Sequence, residues 1–373
     1  MKRRDLRNIL VPIDFSKTST RSIETAQRLA QRFSAIIHLV HVHEYYYPVG
    51  FIAPGAPVPM SMITCRQEDA DRIRKQLGAL ARKHGIPITN CYIRNDTPVF
   101  NGVCKVARQI GADLIVMQTH GRTGIRRFFE GSHAERIVQH SPCPVFVARE
   151  RRRRASRIPS GVKPTESIDS VLVPVDFSQS SFEALEYAIQ FAERVAAQLI
   201  VFHSVYLDYA YTADGYAMVD LSNLIENARR EADEQMHKFV RLAKFRGVQF
   251  ETVVTLAPPG PDICGFAEQR DVDLIITATH GRTGLKHLLM GSVAERIVRH
   301  AHQPVLVVPS HPEMRTAKLT RATRADQQAM TPSARKPSAP ATGRVKKGSQ
   351  SLSEHPFPER RKTNKFRESH SRS

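Results

Sequence analysis

The stretch Ile9-Leu10-Val11-Pro12-Ile13-Asp14-Phe15-Ser16 returns 162 residues later as Val171-Leu172-Val173-Pro174-Val175-Asp176-Phe177-Ser178. Both copies run through unbroken apolar residues into an Asp and a Ser. A continuous apolar run suits a strand buried on both faces, as in parallel sheets covered by crossover helices. Further on, Thr119-His120-Gly121-Arg122-Thr123-Gly124 returns unchanged as Thr279-His280-Gly281-Arg282-Thr283-Gly284, now at an offset of 160. Gly131-Ser132 matches Gly291-Ser292, and Ala134-Glu135-Arg136-Ile137-Val138 matches Ala294-Glu295-Arg296-Ile297-Val298. The period is too long for a solenoid repeat and is the size of a whole domain.

Each copy reads as alternating strand and helix. In the first, strands are predicted at 8–14, 35–42, 86–94, 113–119 and 145–148, with helices at 19–33, 62–84, 99–110 and 132–140. Residues 43–60, with four prolines and the adjacent Tyr45, Tyr46 and Tyr47, read as a loop. The second copy follows the same order from Ser170 to Val308. Strands alternating with helices imply a parallel sheet with right-handed crossovers. Ligands of such sheets sit beyond the carboxyl ends of the strands, where strand order reverses.

Composition removes several function classes. The 373 residues are 41% hydrophobic and 24% charged, enough to fold around a core. No apolar run is long enough to span a bilayer, and no signal-peptide segment follows Met1-Lys2-Arg3-Arg4. Cys65, Cys91, Cys104, Cys143 and Cys264 are scattered without CxxC spacing, which argues against a disulfide framework or zinc site and for a reducing, cytoplasmic setting. The net charge of +19 points first to nucleic acid. Its distribution argues otherwise. Residues 149–163 hold seven Lys/Arg against one acid, and residues 311–373 hold fifteen against five, so the remainder of the chain carries only +3. The expected organisation is a domain at 1–149, a basic linker at 150–167, a second domain at 168–309 and a basic, disordered tail at 310–373. A polyanion contact through linker or tail is the weaker alternative to solvated segments.

The segment joining the fourth strand to the next helix is the most informative. It reads Gly121, nine residues, Gly131-Ser132, and again Gly281, nine residues, Gly291-Ser292. Glycine permits positive φ and close approach of a ligand, and a helix N-terminus favours an anion. Arg122, Arg126 and Arg127 add positive charge in one copy; Arg282, Lys286 and His287 do so in the other. The combination reads as a phosphate cradle. The bland alternative is a pair of capping boxes, Ser132-His133-Ala134-Glu135 and Ser292-Val293-Ala294-Glu295. Asp14 and Asp176 end the first strands, where a carboxylate could meet a base, a ribose or hydrated magnesium, or could cap the following helix; both readings stand. His120 and His280 lack a partner for a triad and read as loop-packing residues. Tyr206, Tyr209, Tyr211 and Tyr216 fall, like the first three tyrosines, in the loop after the second strand.

These residues together resemble the universal stress protein domain: Val-Pro-Ile/Val-Asp-Phe-Ser, Thr-His-Gly-Arg-Thr-Gly, Gly-Ser-x-Ala-Glu-Arg-Ile-Val and Pro-Val-x-Val. The resemblance covers roughly residues 5–149 and 168–309. It implies an α/β fold of two tandem doubly wound five-stranded parallel sheets of order 3-2-1-4-5, of the adenine nucleotide α-hydrolase-like kind. It also implies an intramolecular pseudo-dimer pairing Pro144–Ala148 with Pro304–Val308, and leaves homodimerisation open. Some family members bind ATP, with or without Mg2+, through Gly-x2-Gly-x9-Gly-Ser/Thr, the first-strand Asp and backbone near the end of the second strand. Carried over, these are Asp14, Val42, Gly121, Arg122, Gly131 and Ser132, and Asp176, Ser204, Gly281, Arg282, Gly291 and Ser292. Both copies depart from the pattern at its first glycine, which is Gln118 in one and Ala278 in the other. Alanine adds one methyl group, whereas glutamine adds a longer chain, and Glu130 stands beside Gly131 where the second copy has Met290. The expectation is a non-catalytic, stress-responsive nucleotide binder that acts mainly through its second domain. The alternative is a nucleotide-free scaffold acting through partners. An α-hydrolase-like enzyme would need a glycine-rich phosphate loop early in the chain, and Asp14-Phe15-Ser16-Lys17-Thr18-Ser19 contains no glycine.

Overall fold

A computed structural model describes residues 6–44, 67–118, 133–149, 167–207, 221–280 and 290–310. The opening apolar run forms β1 (Asn8–Pro12), whose Ile9, Leu10 and Val11 are fully buried. There follow α1 (Lys17–Phe33), β2 (Ile36–His43), α2 (Gln67–Lys83), β3 (Cys91–Asn95), α3 (Val99–Gln109), β4 (Leu114–Gln118), α4 (His133–His140) and β5 (Val145–Ala148). The second repeat supplies β6 (Ser170–Pro174), α5 (Gln179–Val195), β7 (Gln198–Val205), α6 (Leu221–Leu242), β8 (Phe250–Leu256), α7 (Pro259–Gln269), β9 (Leu274–Ala278), α8 (Ser292–His300) and β10 (Val305–Val308).

All ten strands share one sheet, in the order β3-β2-β1-β4-β5-β10-β9-β6-β7-β8. Within each repeat the order is 3-2-1-4-5 and every pairing is parallel, as the resemblance implies. The repeats join where β5 meets β10 antiparallel, with Phe146 opposite Leu306 and Val147 opposite Val305. This pairing uses an edge that each five-stranded unit would otherwise leave open.

The pleat divides the core between two layers. Ile9 and Val11 face the layer of α1, α2, α5 and α6, with Ile23, Leu77, Leu185 and Met236. Leu10 faces the layer of α3, α4, α7 and α8, with Val103, Ile137, Ile263 and Ile297. Each layer draws residues from both repeats, so hydrophobic burial crosses the β5–β10 seam.

Three expectations need correction. The third strand begins at Cys91 rather than Ile86, because Pro87 cannot donate to the ladder and Ile88–Asn90 form a turn of 3-10 helix. The first helix begins at Lys17 rather than Ser19, because Ser16 caps it. Ser292 does not cap α8: it is the first helical residue, and Gly291 occupies the cap position with no side-chain cap. Residues 62–66, the basic linker up to Glu166 and the tail from His311 lie outside the described residues. Among the described residues no helix is long and apolar enough to cross a membrane.

Candidate functional site

Strand order reverses between β1 and β4, whose carboxyl ends diverge towards helices on opposite faces. Asp14 follows β1 here. Its Oδ1 accepts the Ser16 N–H at 2.9 Å, while Ser16 Oγ accepts the Ser19 N–H at 3.1 Å and so caps α1. In the second repeat Asp176 Oδ1 accepts the Ser178 N–H at 3.1 Å, and Ser178 caps α5 through the Ser181 N–H. The capping alternative for the aspartates is thereby corrected: serine caps the helix, and each Asp buckles the turn before it. Partial burial works to raise the Asp14 carboxyl, but hydrogen bonds from the side chains of Ser16 and Ser19 and from backbone amides outweigh it, and the net direction is down from the ordinary 3.8.

The buckle places Phe15 at φ 62° and Phe177 at φ 63°, a left-handed conformation that bulky residues rarely adopt. A histidine from the second strand supports each. His41 Nδ1 lies 2.7 Å from the Ile13 carbonyl, its ring 4.7 Å from that of Phe15. His203 Nδ1 lies 2.7 Å from the Val175 carbonyl, its ring 4.3 Å from that of Phe177. The contact to a carbonyl requires Nδ1 to carry hydrogen. Sequence reasoning missed both histidines, although the 162-residue offset that matches Asp14 to Asp176 also matches His41 to His203.

In the first repeat these elements enclose a cavity of about 370 Å³. Val40, Val42, Val103, Met117 and Ile137 give it an apolar floor; Asp14, Ser16, Ser19, Gln118 and His133 supply polar groups. Asp14 and Val42 are thus brought together as expected, and Gln118 lines the same space rather than lying apart from it. At the mouth, His133 Nε2 stands 3.6 Å from a Glu44 carboxylate oxygen. Gly121, Arg122, Gly131 and Ser132 lie outside the described residues.

The second repeat is arranged differently. Ser204 Oγ donates to the Ala257 carbonyl at 2.5 Å and lies 2.8 Å from Asp262 Oδ2, which also accepts the Thr255 hydroxyl. Ala278 is buried at the end of β9. The Gly291 N–H donates to the Thr279 carbonyl at 2.8 Å, which closes the ends of the glycine loop; Gly281 and Arg282, inside it, lie outside the described residues. His280 Nδ1 sits 2.9 Å from Thr279 Oγ1, consistent with a loop-packing residue. Tyr206 is 56% exposed; the other loop tyrosines lie outside the described residues. Among the described residues no cluster of three His, Cys, Asp or Glu side chains could hold a metal ion.

A sequence model of the universal stress protein family matches residues 5–149 and again 167–309. A universal stress protein of Methanocaldococcus jannaschii is 35% identical over 139 residues, covering 37% of this chain and 80% of its own length. One from Mycolicibacterium smegmatis is 25% identical over 323 residues, covering 80% of this chain and 96% of its own. Among solved structures, a universal stress protein from Archaeoglobus fulgidus superposes with a TM-score of 0.52 at 18% identity, over 83% of this chain and 98% of the other, a likeness of fold. With both halves matched and the sheet order and motifs in place, the chain belongs to the universal stress protein family.

Proposed function

We propose that the protein is a stress-response regulator that binds adenine nucleotide, ATP with any Mg2+ carried on its phosphates, and has no dedicated catalytic machinery of its own. The observation that carries this reading is the cavity at the carboxyl end of the first repeat's sheet, where Asp14, Val42 and Gln118 meet. Its volume of about 370 Å³ falls within the range of small-molecule sites, and its mixture of apolar floor and convergent polar groups is what such sites need. The valines and Met117 offer a flat ring an apolar seat. Asp14, held ionised, offers an acceptor to an amino or hydroxyl group. Phosphates would turn towards the start of α4, where a helix N-terminus favours negative charge.

The test is equilibrium dialysis of the full chain against labelled ATP, with Asp14→Ala alongside. Binding by the parent chain, weakened in the variant, is expected. No affinity at millimolar ATP would leave the alternative, a tandem scaffold acting through protein partners.

A further inference from the structure

We infer that the two halves of this chain are unequal, and that a single nucleotide seat is retained, in the first repeat. The inference rests on the nucleotide reading and adds which half carries it and which side chains decide. Sequence alone ranks the second repeat first, because Ala278 is smaller than Gln118. The packing beneath the two sites reverses that order.

The cavity floor in the first repeat depends on two small residues and one close contact. Val40 and Val42 project from β2, and α3 approaches them through Gly102. A Cβ on Gly102 would stand 2.8 Å from both methyl groups of Val42, so glycine is what lets helix and strand approach so closely. At the matching positions of the second repeat, three residues are bulkier and one valine gives way to a smaller, polar serine. Val40 becomes Phe202, fully buried with its ring 4.8 Å from that of Phe266. Gly102 becomes Asp262, and Val42 becomes Ser204, whose hydroxyl oxygen lies 2.8 Å from that carboxylate. Val103 becomes Ile263, also buried. Met290, at the end of the glycine loop, is buried in the same apolar layer. A phenyl ring thus replaces an isopropyl group, and a carboxylate replaces a hydrogen atom. The added bulk of Phe202 and Ile263 takes space at the floor.

Chemistry at the polar rim points the same way. In the first repeat Gln118, whose side chain carries an amide that can both donate and accept, is among the residues lining the cavity. In the second, the corresponding Ala278 offers no polar atom beyond its backbone, and Ser204 commits its one hydroxyl hydrogen within the fold, to the Ala257 carbonyl beside Asp262. The feature that looked like a defect in the motif therefore belongs to the better furnished site. The second repeat keeps the Asp176–Phe177–Ser178 turn and its histidine, which serve the fold irrespective of ligand.

Two measurements on the full chain test this. Equilibrium dialysis with labelled ATP is expected to saturate at about one equivalent per chain, as pockets of this kind are few in any protein. Val40→Phe, which copies Phe202 into the first repeat, should weaken that binding by about tenfold or more, the scale of overpacking a filled site. Phe202→Val should leave the first equivalent intact. Because Val40→Phe could act by unfolding, hydrogen exchange on the unaltered chain provides a second reading: ATP should slow exchange across residues 13–22 and leave 175–184 unchanged. Two equivalents, one equivalent that survives Val40→Phe in a folded protein, or protection at 175–184 would each overturn the inference while leaving the nucleotide reading intact. No binding at all would remove both, and that outcome is distinct from binding in the wrong half.

Discussion

His41 carries a pH dependence whose sign follows from its surroundings. Burial disfavours its cation most; the Ile13 carbonyl opposes this, His43 adds to it and Asp14 opposes it, and the net direction is down from 6.5. The unfolded chain then takes up the proton first as pH falls, so stability is complete above about 6.5 and is lost as pH drops towards the lower folded value. Buried His38 shifts in the same direction, and Asp14 titrates below 3.8, outside this window. His41→Asn keeps an amide donor for the Ile13 carbonyl and removes the titration. Urea midpoints taken between about pH 7.5 and about pH 5.5 should fall less steeply for the variant than for the parent. Parallel slopes would show that His41 does not contribute. That Asp14 lies at the carboxyl end of β1, where it lines the cavity, was readable from its place in the sequence. The left-handed Phe15 beside it was not, because local preference argues against a bulky residue at positive φ. What holds Phe15 there is a ring on the neighbouring strand, a contact that no local window of sequence contains.

At the scale of elements, the two serine caps set the entrance of each repeat. Ser16 Oγ accepts the Ser19 N–H at 3.1 Å while the Ser16 carbonyl accepts bonds from the hydroxyls of Ser19 and Thr20. Ser16→Ala should cost about 1 kcal/mol of stability, read from denaturant midpoints, since cap removal orphans a first-turn amide. It should also weaken ATP binding if the turn presents Asp14 to ligand; unchanged affinity would separate the cap from the site. Strand identity was legible because buried parallel strands are written as continuous apolar runs. The start of β3 was misplaced because Ile86 is buried and so reads as strand, although it precedes the Pro87 turn. The cap of α8 was misread because serine after glycine satisfies the capping-box pattern, whereas the backbone places Gly291 at the cap.

At the scale of the molecule, the seam between the repeats decides how the protein unfolds. β5 and β10 pair through Val145, Phe146 and Val147 against Val307, Leu306 and Val305. Arg149, just past β5, is largely buried and donates to the carbonyl of Val298 in α8; burial brings its guanidinium down to about 10. The seam therefore combines ladder bonds, apolar packing and a buried cation from one repeat bonded to a helix of the other. Pairing through the last strands could be anticipated from the resemblance. The continuity of both apolar layers across it could not, because the pattern of one strand does not say which helix covers it. Leu306 lies in the same layer as Ile9 and Leu185, one from each repeat. Leu306→Ala should cost about 2–5 kcal/mol, as buried leucine truncations do. Because the layers are shared, the loss should lower one common transition for both repeats rather than split it. Scanning calorimetry with a fluorescent probe attached at a cysteine introduced at exposed Lys75 on α2, which reports on the first repeat, would check this. Coincident heat and probe transitions in parent and variant are expected. A probe transition that stays put while the heat signal divides would mean that the repeats unfold separately and that the seam is a contact between two independent cores.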